Sequence, residues 1–198
     1  MGDRSTGPLF HFAMRIISGT WRGQLLRVPK GVRATTDRTR EAIFSILGNA
    51  QDLEVLDLYA GSGSLGIEAL SRGAVAACFV DLSRQALRII ESNLAGKASS
   101  GVTLVRQDCL GFLRATESTY DWIFCDPPYQ GIDFPSLIRT FCQSRALGSH
   151  SLIILETDRF HSINLPQELV SVDQRKFGDT VIHFIKRSDS GNQELHRA

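Results

Sequence analysis

The chain reads as an α/β protein: a mostly parallel, doubly wound sheet closed by a C-terminal antiparallel hairpin and preceded by a small N-terminal β-hairpin and helix. Three observations predict this. From Glu54 onward, apolar runs of strand length alternate with helical patterns, the βαβ signature of a parallel sheet with helices on both faces. A glycine-rich loop, Gly61-Ser62-Gly63-Ser64-Leu65-Gly66, stands directly after the first of these runs and directly before a helix. The alternation then breaks: Leu169 to Arg175 and Thr180 to Lys186 are both strand-like and are separated by Phe177-Gly178-Asp179, as in an antiparallel hairpin.

In chain order, Arg15-Ile16-Ile17 and Leu25-Leu26-Arg27-Val28 flank Gly19-Thr20-Trp21-Arg22-Gly23, the pattern of a hairpin with Trp21 and Arg22 at its tip. A helix follows over Asp37 to Leu47, capped by Thr36 or Asp37, with Ile43, Phe44 and Leu47 on one face. Arg38 and Arg40 fall in its first turn, where cations oppose the helix dipole unless a partner uses them. The doubly wound part then runs strand Val55 to Leu58, helix Ser64 to Arg72, strand Ala76 to Val80, helix Ser83 to Ala95 and strand Val102 to Val105. It continues with a short helix at Cys109 to Ala115, strand Trp122 to Cys125, helix Phe134 to Arg145 and strand Ser151 to Leu155. Ser188 to Ala198 is a polar tail expected to fray.

At 198 residues and 42% hydrophobic content, the chain has enough apolar material for one ordinary core. No stretch approaches the roughly 20 apolar residues of a membrane span, and Met1 to Ala13 lacks the apolar centre of a signal peptide, so a cytoplasmic location is expected. The four cysteines, Cys78, Cys109, Cys125 and Cys142, form no CxxC pair and are read as reduced core thiols; the five histidines are equally scattered, and no metal is expected. The net charge of +1 hides an asymmetry. Residues 1 to 40 carry eight basic side chains against two acidic ones, a net of +6, which leaves −5 for the rest. A basic segment on an acidic body suits contact with nucleic acid.

Two motifs carry chemistry. The glycine loop alone fits several nucleoside cofactors. Asp57 within the preceding strand end, Asp81 after the second strand and Asp108 after the third place three carboxylates at the carboxyl rim of the sheet, where ligands bind. Each aspartate singly is equally consistent with a helix cap; as a set they point to a nucleoside site, with Asp81 accepting the ribose hydroxyls and Asp108 beside the adenine. The second motif is Asp126-Pro127-Pro128-Tyr129, after the apolar Trp122-Ile123-Phe124-Cys125. Two prolines remove two backbone donors, leaving carbonyls to point outward beside a carboxylate. That suits an NH2 group with two hydrogens, and Tyr129 can stack on the plane that bears it. A methyl donor pocket beside an amine pocket explains both motifs better than a dinucleotide site does, because a nicotinamide enzyme leaves the Pro-Pro turn idle.

These residues resemble the class I S-adenosylmethionine-dependent methyltransferases. They resemble more closely the bacterial family that methylates N2 of a single 16S ribosomal RNA guanine. The closer likeness rests on Met14-Arg15-Ile16-Ile17-Ser18-Gly19 with Arg22-Gly23, on Thr36-Asp37-Arg38-Thr39-Arg40-Glu41-Ala42-Ile43-Phe44, and on Val55 to Ala74. It spans nearly all of residues 14 to 187. Ala34, Ser45 and Tyr59 stand where proline, asparagine and phenylalanine are usual, and none of these removes a chemical group the reading relies on. The resemblance implies a Rossmann-like fold organised as a flexible extension (1–13), an RNA-binding hairpin and helix (14–50), a methyltransferase domain (51–187) and a flexible tail (188–198). It implies a donor site of Asp57, Tyr59, Ala60, Gly61, Ser62, Gly63, Asp81, Leu82, Asp108 and Cys109, with S-adenosylmethionine as cofactor. Asp126, Pro127, Pro128 and Tyr129 are implied to hold the target base, and Arg15, Trp21, Arg22, Arg38 and Arg40 to meet RNA or help close the donor pocket. The expected partner is 16S rRNA in the small subunit or an assembly intermediate, met by a monomer with no membrane involved. The alternatives are a DNA adenine-N6 or cytosine-N4 methyltransferase, which usually carries a separate recognition region; a glutamine methyltransferase, whose amine grip more often begins with Asn; an NAD-dependent oxidoreductase; and a non-catalytic RNA-binding module.

Overall fold

A computed structural model describes residues 10–29, 37–97, 100–128 and 131–188. Tyr129, the possible cap Thr36 and the tail beyond Ser188 lie outside these residues. The elements are β1 (Phe10–Arg15), β2 (Leu25–Pro29), α1 (Asp37–Leu47), β3 (Glu54–Leu58), α2 (Ser64–Ser71), β4 (Ala76–Asp81) and α3 (Arg84–Leu94). They continue with β5 (Val102–Arg106), α4 (Cys109–Ala115), β6 (Tyr120–Cys125), α5 (Phe134–Gln143), β7 (Leu147–Asp158), β8 (Leu169–Phe177) and β9 (Thr180–Arg187). No helix among the described residues is long and apolar enough to cross a membrane.

Seven strands form one sheet in the order β5-β4-β3-β6-β7-β9-β8, parallel from β5 to β7 and antiparallel at β7·β9 and β9·β8. The order reverses between β3 and β6, because the chain winds outward from β3 through β4 and β5, then crosses back to β6. That reversal leaves a crevice outside the strand ends. β3, β4 and β6 are buried along most of their length, as strands covered on both faces must be. One core lies on the face that carries α1, α2 and α3, around Val55, Ile67, Phe79 and Phe124; the other lies on the face that carries α4 and α5, around Leu56, Val80, Ile123 and Phe141.

The antiparallel pair β1·β2 forms its own two-stranded sheet. Its first strand begins at Phe10, inside the segment expected to be an extension. Residues 14–50 do not stand apart from the sheet: Met14, Ile16, Leu26, Val28, Ile43 and Phe44 are buried in the same core as Val55 and Phe124. The rings of Phe44 and Phe124 lie 5.7 Å apart, and Arg72 places its guanidinium 4.6 Å from the Phe44 centroid. The hairpin turn is pressed onto the end of α2. Thr20 N–H donates to the Ser71 carbonyl at 2.8 Å, Trp21 N–H donates to Ser71 Oγ at 3.0 Å, and Ser71 Oγ donates to the Ser18 carbonyl at 2.6 Å. Gly19 makes this approach possible: its φ is +81°, and a Cβ there would lie 1.8 Å from the Ser71 oxygen. At the other end of the chain Ser188 is tied down, with its N–H donating to the Glu168 carbonyl at 2.8 Å.

Candidate active site

A cavity of about 1150 Å³ opens at the carboxyl ends of the strands, across the point where the strand order reverses. Its β3 wall is the turn from Asp57 to Ser62. Asp57 is 3% exposed and accepts the Gly66 N–H through Oδ2 at 2.9 Å, so the carboxyl braces the first turn of α2 from beneath. Burial pushes its pKa up to about 8 against the lowering effect of that hydrogen bond, and the charges of Asp126 and Asp81 add to the rise. Gly66 lets helix and strands close: a Cβ there would meet Phe79 Cε1 at 2.4 Å. Tyr59 sits at φ +55°, a conformation costing a non-glycine residue on the order of 1 kcal/mol. Its N–H is taken by Cys109 Sγ at 3.3 Å, and burial pushes that thiol up to about 12, which keeps it a neutral tie.

Asp81 forms the next wall. Its Oδ2 accepts from Gly61 N–H at 2.9 Å and its Oδ1 from Ser83 N–H at 2.7 Å, so it fixes the glycine loop while facing the cavity. Asp108 caps α4, accepting Gly111 N–H at 2.8 Å, and lines the cavity as well. The capping and ligand-facing readings are therefore compatible. Ala60, Gly61, Ser62, Leu82 and Cys109 line the same space, Leu82 with 67% of its surface exposed. Gly63 is behind it, as the left-handed N-cap of α2. Asp126, Pro127 and Pro128 extend from β6 into the same cavity, next to the turn after β3.

The basic residues separate. Arg38 is exposed and lines the cavity with Thr39. Arg15 and Arg22 are exposed on the hairpin, away from the lining, and Trp21 is half-buried against the core below. Arg40 corrects the sequence expectation: its side chain is 0% exposed, Nη2 donates to Asp37 at 2.6 Å and to the Arg15 carbonyl at 2.5 Å, and Nη1 lies 3.8 Å from Glu68. A guanidinium so enclosed braces α1 against α2 and does not reach phosphate. The sequence reading also missed one side of the cavity. Glu156 on β7 and Lys176 to Gly178 with Thr180 on the β8–β9 hairpin line it. The signal was present: Glu156 ends the apolar run Leu152 to Leu155 just as Asp81 ends its own.

The family model described as Conserved hypothetical protein 95 matches residues 14–186. The chain is 35% identical over 148 residues to an Escherichia coli (strain K12) protein named Ribosomal RNA small subunit methyltransferase D, covering 73% of this chain and 75% of that one. It is also 35% identical over 184 residues to a Bacillus subtilis (strain 168) protein named Putative rRNA methyltransferase YlbH, covering 88% and 99%. Among solved structures, a putative methyltransferase, yhhF, from Escherichia coli matches with a TM-score of 0.80 at 31% identity, over 88% of this chain and 98% of that one. With the Rossmann-like strand order, these matches establish that the chain belongs to the Conserved hypothetical protein 95 family, whose named relatives are methyltransferases.

Proposed function

We propose that the protein transfers a methyl group from S-adenosylmethionine to the exocyclic N2 amine of a guanine in the 16S rRNA of the small ribosomal subunit. The observation that carries this reading is the Asp126-Pro127-Pro128 turn opening into the same cavity as Asp57, Asp81 and Asp108. The relatives named for small-subunit rRNA support the substrate class.

The residues present fit the donor. The cavity is large enough for a nucleoside and a base together. Asp81 retains acceptor capacity for ribose hydroxyls beyond its two backbone bonds. Asp108 stands one strand further out, on the adenine side, and Gly66 holds α2 close beneath the loop. When bound, S-adenosylmethionine supplies an electrophilic methyl group with a neutral thioether as leaving group.

The chain's own work is on the amine. The lone pair of guanine N2 is delocalised into the ring and attacks poorly. Hydrogen bonds from its two hydrogens to the Asp126 carboxylate and the Pro127 carbonyl favour the pyramidal nitrogen of the transition state. The carboxylate also faces the positive charge that develops on nitrogen and receives the proton released once the new N–C bond has formed. Tyr129 is assigned the stacking role over the extruded base, which sets the distance and angle of approach. Arg38 at the cavity mouth and exposed Arg15 and Arg22 on the hairpin are assigned to phosphate. We assign the protein to the cytoplasm, acting as a monomer on the subunit or an assembly intermediate.

The test is mass-spectrometric mapping of rRNA in cells lacking the gene. One N2-methylguanine of the small-subunit RNA is expected to disappear, and to return with the wild-type gene but not with Asp126→Ala. An unchanged rRNA methylation map overturns the reading, as does a calorimetric titration in which NAD binds and S-adenosylmethionine does not.

A further inference from the structure

Among the described residues that line the cavity, Glu156 is the carboxylate to which the donor site and the amine grip assign no role. It is 7% exposed, on β7, between the fully paired neighbours β6 and β9. Leu155 before it and its register partner Ile182 are both buried apolar residues. Packing alone favours another aliphatic side chain there, since a carboxylate is costly to bury. Thr180 Oγ1 lies 3.4 Å from Glu156 Oε1, which orients the group within the cavity wall.

Its position in the sheet says what it faces. The donor carboxylates come from β3, β4 and the end of β5, on one side of the strand reversal; β6 and β7 lie on the other. Cys125 pairs with Leu155 in parallel register, so Asp126 and Glu156 are each one residue beyond the same pair. Neighbouring strands are about 4.8 Å apart. The amine grip and the Glu156 carboxylate thus stand side by side over the acceptor half of the cavity.

We infer that Glu156 selects guanine, by accepting its N1–H while Asp126 and Pro127 hold the adjacent N2 amine. This inference rests on the function proposed above. Guanine presents two kinds of donor next to each other on its Watson–Crick edge, N1–H and the N2 amine. Adenine and cytosine present a ring-nitrogen lone pair beside their amines. A carboxylate there attracts the first pattern and repels the second, so one group supplies both selection and rejection. The same amine grip, shared with enzymes that act on other bases, becomes specific through a residue one strand away.

The test uses small subunits reconstituted with rRNA carrying either guanine or 2-aminopurine at the mapped position. 2-Aminopurine keeps the N2 amine and replaces N1–H by a lone pair. Wild-type enzyme is expected to prefer guanine by at least about 100-fold in kcat/KM. Glu156→Gln, whose amide can donate to the bare N1, is expected to bring the two substrates within about tenfold of each other, by slowing guanine and accelerating 2-aminopurine. Thr180→Val is the control for a brace: it is expected to slow both substrates in parallel and keep the preference. An unchanged preference in Glu156→Gln, with both substrates slowed alike, overturns the inference and leaves Glu156 as a support for β9. Should Glu156→Gln not fold, Glu156→Asp reports instead; the guanine preference is expected to survive there with a higher KM, and its loss with KM unchanged overturns the inference. Failure of the parent reading looks different: the mapped wild-type product is then not N2-methylguanine.

Discussion

Asp57 sits beneath the glycine loop with its carboxyl raised to about 8, because burial outweighs the single N–H it accepts from Gly66. Its ordinary value is 3.8. Between those values the folded protein holds a proton that the unfolded chain has released. The contribution to stability is therefore complete below the ordinary value and is lost as pH rises through the raised one. Denaturant unfolding followed from pH 4 to pH 8 is expected to show stability falling by at most about 1.4 kcal/mol per pH unit from this group. Asp57→Asn, which keeps an acceptor for Gly66 and cannot ionise, is expected to flatten that slope; an identical slope in the variant rules the assignment out. At this scale much was legible in advance. Asp57, Asp81, Asp108 and Asp126 announce themselves as carboxylates at the ends of apolar runs, and all four line the cavity. Glu156 follows the same rule, but its strand reads as a core run ending at Leu155 and the carboxylate is easily taken for the loop that follows. Arg40 was misread because a cation in a first helical turn looks available to a partner, whereas Asp37 and the Arg15 carbonyl take its Nη2 and the buried Glu68 of α2 encloses it from the other side.

Between elements, the tightest device is the clasp of the N-terminal hairpin on α2. Glu68 is buried and accepts from Ile17 N–H at 2.8 Å, Ser18 N–H at 3.0 Å and Arg72 Nε at 2.8 Å, with the Arg40 guanidinium beside it. Removing that carboxylate leaves the Ile17 and Ser18 amides and Arg72 Nε without their acceptor, and takes the buried opposite charge from beside Arg40. Glu68→Ala is therefore expected to cost about 3–5 kcal/mol in urea unfolding, the range for stripping one partner from a buried ionic network. A cost below about 1 kcal/mol, typical of an exposed pair, would contradict the clasp. Gly19→Ala attacks the same joint from the other side, since its Cβ has to displace the Ser71 carbonyl and to adopt a positive φ. Because either change frees the hairpin, their combined cost is expected to fall short of the sum. The existence, type and order of the elements were legible from periodicity and turn chemistry. The joint was not, since its partners lie about 50 residues apart and a carboxylate in a short helix gives no hint of which backbone it will cap. The early starts of β6 at Tyr120 and β7 at Leu147 were missed for a related reason: Leu147-Gly148-Ser149-His150 lacks an apolar run, and its first residue alone pairs with Tyr120 before the register shifts and resumes at Leu152.

Across the whole molecule, the strand order divides the cavity. In the function proposed above, Asp57, Asp81 and Asp108 from the β3, β4 and β5 ends face the donor, while Asp126, Glu156 and the wall of Lys176, Phe177, Gly178 and Thr180 from β6, β7 and the β8–β9 hairpin face the acceptor. The alternating pattern made the crevice foreseeable, because any doubly wound sheet whose order reverses opens one at its carboxyl edge. The closing hairpin was foreseeable as an element, yet its tip as a cavity wall was not, since nothing local says where a hairpin's turn will point. This division has a kinetic consequence. Asp81 ties down the Gly61 and Ser83 amides on the donor side, so Asp81→Ala is expected to weaken S-adenosylmethionine binding by about tenfold to a hundredfold, the worth of one or two hydrogen bonds to a charged group. Asp126→Ala is expected to leave the donor dissociation constant within a few-fold of wild type while turnover falls by about 100-fold or more, because in the proposed mechanism its carboxylate acts on charge that exists only in the transition state. Calorimetry with the donor and single-turnover methylation of undermethylated subunits read the two quantities separately. If Asp126→Ala lost donor affinity and turnover in equal measure, the turn after β6 would belong to the donor's half of the cavity, and the strand reversal would not be the boundary between the two substrates.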